Sequence, residues 1–153
     1  MRIVDYLPPG VIAPDLAAPG RDEALRELVA LIARHEPDLD PDEAFRALRE
    51  RERLGSTGVG DGVAIPHAKV PGLRRILAAF GRSLAGIDFD SIDAKPAHLF
   101  FAILAPDNSV GAHLSLLARI SRVCQSPGEI AKLREAVDAA TIRRIIDLAD
   151  QTE

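Results

Sequence analysis

The stretch GSTGVGDGVAIPHAK, residues 55–69, constrains this chain more than any other. Four glycines fall within eight positions, at 55, 58, 60 and 62, and one histidine, His67, follows directly on Pro66. Glycine costs conformational entropy on folding, so such a run marks backbone that turns tightly or lies close to something. The pattern G-x-x-G-x-G-x-G fits neither G-x-x-x-x-G-K-[ST] nor G-x-G-x-x-G. It also leads from helix through loop to strand, whereas those fingerprints lead from strand through loop to helix. Both nucleotide-binding readings fail. Successive N–H groups in a glycine-rich turn form concavities that favour anions, and hydroxyls add donors. Gly55, Ser56 and Thr57 are therefore candidate phosphate contacts, with His67 as a candidate carrier of a phosphoryl group that needs neither metal nor nucleotide. The residues alone leave a second reading open, a turn between helix and strand beside a satisfied core histidine.

Around this stretch the pattern alternates helices and strands. Leu25, Leu28, Val29 and Ile32 recur at helical spacing and predict an amphipathic helix over 21–35. Asp40, Pro41 and Glu43 then supply an N-cap, a first-position proline and a capping-box acid for a second helix that ends near Leu54 and Gly55. VAIPHAKV and ILAAFGRSLA read as strands, the second interior because it carries little polarity. AHLFFAILAP, stopped by Pro106, is the strongest strand signal. Three further helices follow, over 111–125, from Ser126 and Pro127 onward, and over 139–149. Helices before and after a strand cluster predict an α/β fold, a three-layer α/β/α sandwich around a central sheet. The length of 153 residues suits a single domain, 1–153.

Composition removes several function classes. A net charge of −4 without a Lys/Arg cluster argues against nucleic acid. The N-terminal MRIVDYLPPGVIAPDL is broken by Pro8, Pro9 and Gly10, so it reads as neither signal peptide nor membrane span. A lone Cys124, expected as a small buried residue on a helix, forms no internal disulfide and fits a reducing, cytoplasmic setting. His35, His67, His98 and His113 are widely spaced and lack metal-ligand motifs, so no metal and no cofactor is expected. Ser56 lacks a G-x-S-x-G elbow, which leaves a serine hydrolase as a minor alternative.

RERLGSTGVGDGVAIPHAK, continued by IDFDSIDAKPAHLFFAILAPDNSVGAHLSLLARISR, closely resembles the enzyme IIA components of the bacterial phosphoenolpyruvate-dependent phosphotransferase system, in the fructose, mannitol and nitrogen-regulatory family. The resemblance runs from about Arg21 to Leu148. It implies an α/β/α sandwich with a mixed sheet, and phosphorylation of His67 by the phosphocarrier HPr or its nitrogen-branch counterpart. It further implies that Arg51, sixteen positions ahead of His67, neutralises phosphoryl oxygens. His113, at a helix start, is implied to orient the imidazole or hydrogen-bond the phosphate. Arg49 and Arg53 are expected as solvated helix-face residues, and His35 and His98 as structural. Ala68 and Asp61 replace residues common in the family and are read as small surface changes. Val59, Ile65 and Val70 are expected to ring the cleft. The expected function is a phosphohistidine carrier and phosphotransferase, of the regulatory branch because no IIB, IIC or HPr segment is fused to it and the R-E-R-L-G-S-T-G-V-G and F-D-S-I-D runs look closer to that branch. A regulatory target protein would then read its phosphorylation state. The alternative is a sugar-specific IIA that passes phosphate to a IIB domain.

Overall fold

The computed structural model describes residues 1–151. Its helices begin where the capping chemistry places them. Helix α1, Arg21–Ala33, buries Leu25, Leu28, Val29 and Ile32 on one face. Helix α2, Pro41–Leu54, opens on the Asp40 carboxylate, which accepts from the Asp42 and Glu43 amides at 3.0 and 3.3 Å. Helix α3 is Val110–Val123, α4 is Pro127–Glu135 under a Ser126 cap, and α5 is Ala139–Gln151. Cys124 ends α3, and burial pushes its thiol up to about 12.

Six strands form one mixed sheet: β1 Ile12–Ala13, β2 Gly58–Gly60, β3 Val63–Ala64, β4 His67–Lys69, β5 Leu77–Ile87 and β6 Ala97–Ala105. Strand β6 is central, antiparallel to β5 and parallel to both β3 and β4. The expected single strand over VAIPHAKV is broken, because Pro66 has no N–H for the ladder. The line of pairing nevertheless continues, since Ile103 donates to the Pro66 carbonyl at 2.9 Å and β4 resumes at His67. The glycine run, expected as loop, contains β2. Asp61 and Gly62, at φ 56° and 78°, make the two-residue turn that folds β2 back on β3. Gly58 is required by close approach, as a side chain there would place its Cβ 2.9 Å from the Ser91 Cα.

Helices α1 and α2 pack on each other and against β5 and β4, while α3 and α4 meet β6 and α5 meets β1. The result is an α/β sandwich whose core is dominated by β6, buried along almost its whole length. Helix α3, which carries His113, is anchored from outside the sheet. The buried Asp150 of α5 pairs with Arg119 at 2.9 Å and Arg122 at 3.4 Å, and accepts from the Ile3 amide at 2.8 Å.

Candidate functional site at His67

Strand β4 and the facing ends of α2 and α3 enclose a cleft of about 630 Å³. His67, Ala68 and Lys69 of β4 all border the cleft, and Ala68, the register partner of Leu104 in β6, is buried. Ala68 is thus buried rather than a surface change, whereas Asp61 is exposed at the hairpin turn. Arg51 enters from the last turn of α2, and His113 from the first turn of α3. The apolar lining comes from Ala47, Leu54, Ala68, Val110, Leu114 and Leu117. The expected ring of Val59, Ile65 and Val70 is not there: Ile65 and Val70 are core residues, and Val59 points out from β2.

The imidazole of His67 is half-buried, and its Nδ1 lies 2.7 Å from the Ile65 carbonyl oxygen. A carbonyl only accepts, so Nδ1 carries the proton and Nε2 keeps its lone pair. Burial lowers the pKa of this ring below 6.5 and Arg51 lowers it further, against the opposing effects of the Ile65 carbonyl and Glu52. The His67 ring is therefore neutral at neutral pH. His113 stands edge-on to it, with ring centroids 5.5 Å apart. Its Nε2 is buried without a hydrogen-bond partner, and burial, His67 and Lys69 all lower its pKa. Arg51 donates to the Gly55 carbonyl at 2.8 Å, which holds the guanidinium at the α2 terminus.

Gly55, Ser56 and Thr57 do not line the cleft. Ser56 Oγ donates to the Phe89 carbonyl at 2.7 Å and accepts from the Gly58 amide at 3.0 Å. Thr57 is buried, and both its amide and its hydroxyl donate to the carboxylate of Glu52. Both hydroxyls thus serve the loop's own folding. The structure brings His67, Arg51 and His113 together and leaves Arg49 and Arg53 in exposed pairs with Asp22 and Glu50. His35 and His98 lie elsewhere, each with Nδ1 against a backbone carbonyl. Sequence reasoning passed over Lys69 and Glu52. The H-A-K alternation marks the first; the second hides in the charged R-E-R run, where nothing distinguishes a buried acid from solvated neighbours. Among the described residues no group of three or more His, Cys, Asp or Glu side chains is placed to hold a metal, and no helix is long and apolar enough to cross a membrane.

A mixed sheet flanked by helices, with an imidazole in a cleft lined also by Arg51, Lys69 and His113, places the chain in the class of α/β sandwich proteins. The sequence pattern of one such family, "Phosphoenolpyruvate-dependent sugar phosphotransferase system, EIIA 2", matches residues 5–148, and the chain belongs to that family. It is 40% identical over 152 residues to a nitrogen regulatory protein of Bradyrhizobium diazoefficiens, covering 99% of each chain. It is 33% identical to the fructose-specific EIIABC component of Bacillus subtilis, over 99% of this chain and 23% of that one. The crystal structure of the nitrogen regulatory protein IIA-Ntr from Neisseria meningitidis superposes with a TM-score of 0.89 at 33% identity, covering 94% of this chain and 98% of that one.

Proposed function

We propose that this chain is a single-domain phosphohistidine carrier that accepts a phosphoryl group on His67 Nε2 from HPr or its nitrogen-branch counterpart. The observation that carries the reading is the neutral imidazole, its Nδ1 proton fixed on Ile65, with Nε2 available beside Arg51, Lys69 and His113. In the transfer, the donor's P–N bond breaks as a P–N bond forms at His67 Nε2, and the Nδ1 proton stays in place. Phosphoryl transfer asks for positioning and charge neutralisation more than covalent help. Arg51 has donors beyond the one on Gly55 to meet the phosphoryl oxygens, and the unpartnered His113 Nε2 gains a partner when the phosphoryl group arrives. Gly55, Ser56 and Thr57 serve the site by holding Arg51 and Glu52. The apolar rim of Leu54, Val110 and Leu114, all exposed, is where the partner proteins would seat.

Within this reading we place the protein in the cytoplasm and in the regulatory branch, supported by full-length similarity to nitrogen regulatory proteins. Phosphorylation adds roughly −1.5 to −2 charges at the centre of the rim, enough for a target protein to tell the two states apart. The test is incubation with the phosphorylated carrier, followed by mapping of an acid-labile, base-stable adduct to His67. A pull-down with both states should then retain at least one partner with one state only. Efficient passage to a IIB domain with sugar accumulation would favour the transport reading, which the similarity to the fructose component keeps in view.

A further inference from the structure

Helix α3 opens on a first turn whose amides have nothing to bind. The helical ladder begins with the His113 amide on the Ser109 carbonyl at 2.9 Å, so the amides of Val110, Gly111 and Ala112 have no acceptor among the described residues. Ser109, at the N-cap, turns its hydroxyl to Asn108 Oδ1 at 3.5 Å instead, and no acidic side chain stands in the first turn. A Cβ built at Gly111 meets nothing within 4 Å, so this turn is open. A bare helix start attracts an anion only weakly by itself. Here a second group points the same way. His113, 7% exposed, borders the cleft with its Nε2 buried and unpartnered. His35, His67 and His98 each anchor Nδ1 on a backbone carbonyl, but no such anchor holds Nδ1 of His113 among the described residues. Its single proton is therefore free to sit on Nε2 and to donate.

A helical side chain leans toward the N-terminus and covers the turn before its own Cα. The His113 ring thus lies along the first turn of α3, and its edge contact with His67, centroids 5.5 Å apart, puts the His67 ring beside that turn. Val110, the first residue of the helix, lines the same cleft. We propose that the first turn of α3 and His113 form an oxyanion seat, whose amide N–H groups and Nε2–H hold the oxygens of the phosphoryl group on His67 from the α3 side. Arg51 and Lys69 meet the same oxygens from α2 and β4, and Glu50, the one carboxylate in the lining, is engaged by Arg53 at 3.0 Å. That the oxyanion is a phosphoryl group rests on the phosphocarrier reading above; the donors rest on α3 alone. Unspent amides at the positive end of a helix dipole favour the charged group over the bare imidazole.

Inorganic phosphate titrated into the unphosphorylated full chain, followed by NMR of the backbone amides, tests the seat without any donor protein. Saturable shifts are expected at the Gly111 and Ala112 amides and at the His113 ring. Ser109→Asp then fills the seat from within, because an N-cap carboxylate accepts from the second and third amides of the helix. It should raise the thermal midpoint, as a better cap does, yet weaken phosphate binding and slow phosphoryl acceptance, each on the order of tenfold. A role confined to starting the helix predicts instead that stability and acceptance move together. Ser109→Asn caps the same amides without a charge and should keep most of the loss, which separates occupied donors from plain repulsion. Gly111 and Ala112 amides unmoved by phosphate, or an Asp or Asn variant that binds phosphate like the wild type, overturns the proposal. Phosphate held in the seat of a wild-type chain that forms no adduct overturns the phosphocarrier reading and leaves the seat standing. An adduct on His67 that leaves those two amide resonances unmoved overturns the seat alone.

Discussion

His67 and His98 each donate Nδ1–H to a backbone carbonyl, that of Ile65 at 2.7 Å and that of Ser83 at 2.9 Å, so each ring is held in the same way and turns Nε2 away from that carbonyl. Both border a cavity, and the one at His98, about 780 Å³, exceeds the 630 Å³ cleft at His67. Both cavities also contain two cationic side chains, Lys95 and Arg134 in the first, Arg51 and Lys69 in the second. What separates them is the rest of the lining. Asp61, Asp93 and Glu135 share the His98 cavity and repel an approaching phosphoryl group. The backbone of Gly86 also closes on that ring, since a Cβ built there would stand 3.1 Å from His98 Nε2. At His67 the lining holds one carboxylate, Glu50, and adds a second imidazole and an apolar rim. An Nδ1 anchored on a backbone carbonyl is thus common to both, and the surrounding charge and access are what set the two cavities apart.

The sharpest way to break this comparison is to exchange the two histidines' fates. His67→Ala should abolish phosphoryl incorporation, and His98→Ala should leave it intact, as read by radiolabel or intact mass after incubation with the phosphorylated carrier. Label persisting in the first variant would void the distinction. Next in size is the guanidinium. Arg51→Ala should slow acceptance on the order of a hundredfold, in line with loss of a charge-stabilising donor. Arg49→Ala, whose side chain reaches the exposed Asp22 at 3.4 Å, should stay near the wild-type rate. Lysine at position 51 should rescue poorly, because it lacks the planar fork that meets two oxygens at once. Equal rates for the two alanine variants would remove Arg51 from the site.

Much of the fold was legible because local chemistry and tertiary need agree. Asp40 with Pro41, and Ser126 with Pro127, start helices in sequence and in structure alike. Strand β2 was not legible, as Gly58, Val59 and Gly60 carry little strand propensity and become a strand only through pairing with β3 and the approach of Ser91. The site divides in the same manner. His67, Arg51 and His113 came from a motif, since no spacing in the chain says that the starts of β4 and α3 will lie side by side. The glycines point to a special backbone but not to its purpose, which is a hairpin and a close approach rather than a nest of N–H groups around an anion. Lining by Leu54, Val110 and Leu114 depends on how α2 and α3 converge, a property of packing that neither helix carries in its own periodicity.

His113 offers a smaller lever on the same comparison, because it is the group that the His98 cavity lacks. His113→Ala should leave His67 phosphorylatable but slow acceptance or shorten the adduct's life on the order of tenfold, the worth of one hydrogen bond to a charged group. Circular dichroism must show an intact fold in that variant. A folded variant with wild-type kinetics would reduce His113 to packing.

The smallest effect is one of pH, and its sign follows from burial. The pKa values of His67 and His113 both lie below their ordinary 6.5 in the folded protein, because burial disfavours the charged ring. Between the folded value and 6.5 the unfolded chain binds more protons, so the stability that each neutral ring contributes is complete above 6.5 and is lost as pH falls through the folded value. Chemical denaturation should give a plateau above pH 7 and a decline below 6.5, with a slope of at most about 1.4 kcal/mol per pH unit for each ring. The double variant His67→Ala, His113→Ala should flatten that decline, and an unchanged profile would place its origin elsewhere. Phosphorylation of His67 sharpens the test. It places negative charge next to a ring now held neutral by burial and by Lys69, so the pKa of His113 should rise in the phosphorylated protein, as followed by NMR of the ring protons. A value unmoved by the phosphoryl group would mean that the two imidazoles, 5.5 Å apart, do not share one electrostatic site.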